Sequence, residues 1–118
     1  MKPSNIVRDK SYTFAVRVVK LSQYLNHEKK EFVLSKQVLR SGTAIGALIK
    51  ESEFAQSSPD FINKLSIAAK EANETQYWIS LLKGTQYITI EMYNSMNSDI
   101  TELIKLLTSI INTMKTKQ

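Results

Sequence analysis

Residues 58–84 read SPDFINKLSIAAKEANETQYWISLLKG, and this stretch decides the fold. Phe61, Leu65, Ala68, Ala72, Thr75, Ile79 and Leu82 follow one another at alternating steps of four and three. That spacing lays them along one face of an α-helix and excludes a strand, whose side chains alternate with period two. Ser58 is placed to cap the helix, Pro59 suits its first position, and Asp60 opposes the positive end of the dipole. Gly84, just past Lys83, is a natural stop.

Downstream, Thr89 is placed to cap a fourth helix with Glu91 in its first turn. Tyr93, Met96, Ile100, Leu103, Leu107, Ile110 and Met114 form its seam. Upstream, Leu34, Val38, Ser41, Ile45, Leu48 and Ser52 share a face of a second helix, with Ser35 as its expected cap. Gly42 and Gly46 lie inside it; each costs about 1 kcal/mol against alanine, so close backbone approach is expected there. Val7, Phe14, Val18, Leu21 and Leu25 mark a first helix over about 5–25, and the polar run Asn26–Glu31 connects it to the second. Short connections make consecutive helices antiparallel neighbours. The fold expected is all-α, an antiparallel up-down four-helix bundle, one domain over residues 1–118.

Composition agrees. Only 3 glycines and 2 prolines leave too little punctuation for a protein of many short strands. The absence of cysteine excludes disulfides, thiolate catalysis and cysteine-bound metal. No apolar run is long enough to span a bilayer, and residues 1–10 lack the apolar stretch of a signal peptide, so no membrane partner and a cytoplasmic location are expected.

No chemistry of catalysis stands out. The only histidine, His27, sits in a polar connection among lysines and glutamates. Glu71 and Glu74 have the spacing of a carboxylate pair, but no helix carries the histidine that a dimetal bundle site uses. No glycine-rich phosphate cradle is present. No enzyme activity, metal or cofactor is expected.

Gln37, Arg40 and Glu51 line the flank of the second helix, and Glu71 and Trp78 that of the third, while Glu74 stands one turn on from Lys70 as an ordinary helical pair. Polar groups bordering a core are paired when buried, so a structural network of Gln37, Arg40, Glu51, Glu71 and Glu74 is the reading, with Arg40 paired to Glu71 or Glu51. A second apolar face also runs along three helices. Ile67, Tyr77, Trp78 and Leu81 point away from the third helix's seam, as do Leu39, Ala47 and Phe54 on the second and Tyr12, Val16 and Val19 on the first. Apolar surface of this kind marks an interface unless a wide core absorbs it, and Ile67, Tyr77, Trp78, Leu81 and Phe54 are the candidates for a homo-oligomer contact.

The net charge is +5. A basic chain is attracted to polyanions, and Arg8, Lys10, Arg17, Lys20, Lys29, Lys30 and Lys36 are the candidate nucleic-acid contacts. The plain alternative is charge that only keeps the protein soluble.

Residues 36–54, KQVLRSGTAIGALIKESEF, with Ser58-Pro59-Asp60-Phe61 and residues 67–82, IAAKEANETQYWISLL, resemble the bacterial four-helix-bundle family of 23S ribosomal RNA intervening-sequence proteins. The matching positions are Gln37, Arg40, Ser41, Gly46, Glu51, Asp60, Phe61, Lys70, Glu71, Glu74, Tyr77 and Trp78. Leu48 and Ser52 depart from the pattern, which often has Asn and Ala there. The resemblance implies a ring-forming bundle, commonly a pentamer. It is similar in fold to the accessory protein of diversity-generating retroelements, a basic pentameric barrel that binds nucleic acid. The function expected is a non-enzymatic oligomeric module for RNA or another polyanion. The alternative is a protein-interaction scaffold whose charge is incidental.

Overall fold

A computed structural model describes residues 3–117, with side chains from residue 6; residues 1, 2 and 118 of the expected domain lie outside the described residues. Four helices follow in order: α1 (Pro3–His27), α2 (Leu34–Ser52), α3 (Ser58–Gly84) and α4 (Ile90–Thr116), with no strand among the described residues. Each helix packs on its neighbours in sequence, α1 returns to touch α4, and the bundle extends 47 × 22 × 21 Å. Packing is most extensive between α2 and α3 and sparsest between α1 and α4.

The α3 seam is buried from Leu65 through Ala68, Ala72, Thr75 and Ile79 to Leu82, with Phe61 half-buried at its start. Thr75 is the one polar member. Its hydroxyl lies 2.8 Å from both the Glu71 carbonyl and Ser41 Oγ on α2, so it is satisfied without water. On α4 the buried set is Met96, Ile100, Leu103, Leu107 and Ile111. Ile111 rather than Ile110 closes the seam because a straight helix of 3.6 residues per turn drifts from a strict heptad by about 20° each repeat. On α2 the same drift buries Ile49 and leaves Leu48 half-buried.

Two caps differ from expectation. Ser57, not Ser58, caps α3: it is extended at φ −160°, and its side chain accepts the Asp60 N–H at 3.2 Å. Asp60 in turn accepts the Gln56 N–H at 3.2 Å. Ser35 is already inside α2, and its place as cap is taken by Glu31. Thr89 caps α4 by accepting the Met92 N–H at 3.1 Å.

The two α2 glycines do different things. A Cβ on Gly42 would lie 2.8 Å from both methyls of Val18, so Gly42 makes room for a side chain of α1 rather than for its backbone. A Cβ on Gly46 would meet Ser11 at an ordinary 3.5 Å.

Candidate nucleic-acid interface

The seven basic candidates divide by what surrounds them. Arg8 pairs with Asp9 and with Glu53 beyond α2, both at 3.4 Å. Lys10 reaches Glu102 at 3.3 Å. Arg17 pairs with Asp99 and donates to Ser95 Oγ at 2.7 Å. Lys10 and Arg17 therefore bridge the thin seam between α1 and α4, where helix packing is sparsest. Each of these two cations thus has a carboxylate partner within the chain, unlike the lysines that follow.

Lys20, Lys29, Lys30 and Lys36 are exposed, and among the described residues none of them makes an ion pair. Three of these four gather where α1 hands over to α2. Lys30 there adopts φ 53°, a left-handed conformation that favours glycine. The neighbouring Glu31 does not neutralise them. Its carboxylate turns inward and accepts the N–H groups of Val33 at 3.2 Å, Leu34 at 2.9 Å and Ser35 at 2.8 Å. Beside it Phe32 and Val33 are 59% and 72% exposed, an apolar presence at this end that periodicity could not flag.

The polar cluster lies across α2 and α3. The Arg40 guanidinium reaches Glu71 at 3.4 Å, pairs with Glu74, and donates to Gln37 Oε1 at 3.3 Å. Glu74 also accepts the Trp78 indole N–H at 2.9 Å. Glu51 is not part of it. It lies three turns further along α2, about 16 Å at 1.5 Å per residue, and faces Lys64 at 3.5 Å instead. The Arg40 side chain is 49% exposed, so water screens the cluster. Arg40→Ala is expected to lower the free energy of unfolding by about 1 kcal/mol, not the 3–5 kcal/mol of a fully buried pair. Urea melts read this as a lower midpoint at unchanged slope. An unchanged midpoint would mean that the guanidinium contributes nothing to the fold.

The apolar candidates are not all surface residues. Trp78 is half-buried and packs against the core, whereas Ile67 and Leu81 are half-buried without belonging to the residues packed around it. Tyr77 is 58% exposed, its ring edge-on to Trp78 at 5.2 Å. Phe54 is 76% exposed but stands beyond the far end of α2, where Lys50 lies over its ring. Tyr77 lies about 28 Å up α3 from its start, so the two do not form one patch. The more continuous exposed apolar run is on α1, where Tyr12, Val16 and Val19 stand out. Tyr12 borders an open groove of about 780 Å³ shared with Gly46, Ala47 and Lys50 of α2.

Among the described residues no group of three or more His, Asp or Glu side chains could hold a metal, and no helix is long and apolar enough to cross a membrane. His27 is the last residue of α1 rather than part of the connection, and it is exposed at the lysine-rich end.

No curated protein matches the chain. Among solved structures, a protein of unknown function from the S23 ribosomal protein family of Bacteroides thetaiotaomicron VPI-5482 superposes with a TM-score of 0.93 at 62% identity, over 94% of this chain and 99% of that one. The model of the 23S rRNA-intervening sequence protein family matches residues 4–109. With that match running from the first turn of α1 almost to the end of α4, the chain belongs to the 23S rRNA-intervening sequence protein family.

Proposed function

We propose that the protein is a non-enzymatic, self-associating RNA-binding module of the cytoplasm that holds its ligand chiefly by phosphate contacts. The observation that carries this reading is the grouping of Lys29, Lys30 and Lys36 at one end of the bundle. They are exposed and unpaired among the described residues, while Arg8, Lys10 and Arg17 are committed to carboxylates. The family's description by a 23S rRNA intervening sequence supports RNA as the polyanion. Self-association, with a pentamer as the expected count, would multiply the +5 of each chain over one assembly. The α1 face of Tyr12, Val16 and Val19 is the surface best suited to that contact.

Phosphate contacts release counterions, so affinity should fall with salt, by a log–log slope of about −0.7 per contacted phosphate on a single strand. Changing Lys29, Lys30 and Lys36 together to Glu should weaken binding of all RNA sequences alike. The slope should become shallower by about 2. Fluorescence anisotropy across a salt series reads both. Light scattering on the same samples should give a multiple of the chain mass, unchanged in the variant.

A parent protein that binds no RNA at low salt sinks the reading, and a monomer mass sinks self-association. A second reading, a scaffold for another protein, has the α1–α2 groove in its favour. It takes over if RNA binding fails while the exposed α1 face proves to be an interface.

A further inference from the structure

We propose that Phe32 is a stacking platform for an unpaired base, so that the RNA bound at this end is single-stranded. This rests on the RNA reading above and narrows it.

The ring is 59% exposed in the connection between α1 and α2. It belongs neither to the buried core nor to the half-buried residues packed around it. Among the described residues it makes no aromatic pair and no cation–π contact, since those involve Phe54, Tyr77, Trp78 and Tyr93.

The backbone presenting the ring is held in place. Glu31 just before it is 8% exposed, and its carboxylate binds the N–H groups of Val33, Leu34 and Ser35. The Glu31 N–H itself donates to the Leu25 carbonyl at 2.9 Å, tying the connection to the last turn of α1. A ligand arriving at Phe32 has little loop to order, which removes part of the entropic cost of binding.

The surroundings define the ligand. Lys29, Lys30 and Lys36 flank Phe32 in sequence, and Glu28 is the one exposed carboxylate between residues 27 and 36. Lys30 stands in a left-handed conformation where glycine would be unstrained. An exposed aromatic face among unpaired cations suits a nucleotide strand, with a base on the ring and phosphates on the ammonium groups. In a duplex the bases are stacked on one another, and only their edges and the backbone are offered. Two copies of this patch meeting face to face would set lysine against lysine, which argues against a symmetric self-contact.

The test compares an oligouridine strand with a duplex RNA of the same length, by anisotropy, on the parent, Phe32→Ala and Phe32→Trp. Phe32→Ala should weaken single-strand binding by about 5- to 150-fold, the range for losing one stacked base. Duplex binding and the salt slope should stay as in the parent. Phe32→Trp should keep the affinity, and its indole emission should be quenched by the strand. Lys30→Gly, which relieves the left-handed backbone, should reduce the salt slope while preserving the preference for single strands. Urea midpoints verify that each variant is folded. Equal losses on both RNAs, or none on the single strand, overturn the proposal while leaving RNA binding intact. A fall in oligomer mass for Phe32→Ala also overturns it, because the ring would then be part of a contact between copies. If the parent binds neither RNA, the broader reading falls with it.

Discussion

Gly42→Leu should unfold at least 10 °C below the parent protein, while Gly46→Ala should unfold at or slightly above the parent temperature. Both glycines lie inside α2, and both carry the same propensity penalty of about 1 kcal/mol. Their surroundings separate them. A Cβ at Gly42 would stand 2.8 Å from each methyl of Val18, well inside contact distance. Val18 is fully buried on α1. It is β-branched and has one strongly preferred rotamer in a helix, so rotation only exchanges one clashing methyl for another. Relief requires α1 and α2 to move apart along a packed interface. Overpacking of this kind typically costs 1–3 kcal/mol, and leucine adds three further carbons to the clash. A net loss of about 3 kcal/mol corresponds to a shift of roughly 12 °C for a chain of this length.

The single methyl of Gly42→Ala should give a smaller loss, partly offset by the gain in helix propensity. The double variant Val18→Ala, Gly42→Ala should be more stable than the sum of its single changes predicts, because the two sites are in contact. At Gly46 the nearest atoms, the carbonyl and hydroxyl oxygens of Ser11, stand at 3.5 Å, so alanine fits and its propensity gain is kept. Thermal melts at one fixed protein concentration, needed because association shifts the apparent midpoint, measure these four and the single Val18→Ala change. A Gly42→Leu melt matching the parent would mean that the α1–α2 interface is looser than this packing.

What could be read from residue order followed the kind of force at each place. The α3 seam from Leu65 to Leu82 was legible because the burial of one helical face depends on spacing alone. The ends of the α2 and α4 stripes slipped by one residue, to Ile49 and Ile111, because the drift of a straight helix accumulates away from the centre of the seam. Capping was half legible. Two serines stand side by side before Pro59, and the extended backbone of Ser57 decides which hydroxyl turns back to Asp60. Arg40 with Glu71 followed from flank positions on helices adjacent in sequence, whereas Glu74 joined the same guanidinium only once the helices were packed. Arg17 with Asp99 did not, because the partners are 82 residues apart and nothing local to either sets the register between the first and last helices. The separation of paired from unpaired cations, on which the candidate RNA surface depends, was therefore hidden until the bundle closed.

Glu31→Ala should be the other severe substitution, with a loss of about 3 kcal/mol although the residue sits in a connection. The start of any helix leaves N–H groups without intrahelical partners. Val33, at the boundary of α2, has helical dihedrals and supplies no side-chain cap. The single Glu31 carboxylate does the work instead, with Oε2 accepting from Val33 and Leu34 and Oε1 from Ser35. It carries a negative charge at the positive end of the helix dipole, which adds to the hydrogen bonds. The group is 8% exposed, so water replaces it only in part when it is removed. Hydrogen bonds to a charged partner contribute about 1.5–3 kcal/mol each, and an ordinary cap about 1 kcal/mol. Three shared acceptor contacts with partial solvent rescue lie between one such bond and the full sum.

Glu31→Gln should cost less, since its amide oxygen still accepts, while its NH2 group confronts an N–H that it cannot satisfy. Urea melts give the ranking parent, Gln, Ala. Hydrogen exchange locates the damage, with the Val33, Leu34 and Ser35 amides losing protection before the α3 core does. Equal midpoints for all three proteins would show that the inward carboxylate contributes nothing. A loss of protection spread evenly over the four helices would show that Glu31 supports the bundle as a whole rather than the start of α2.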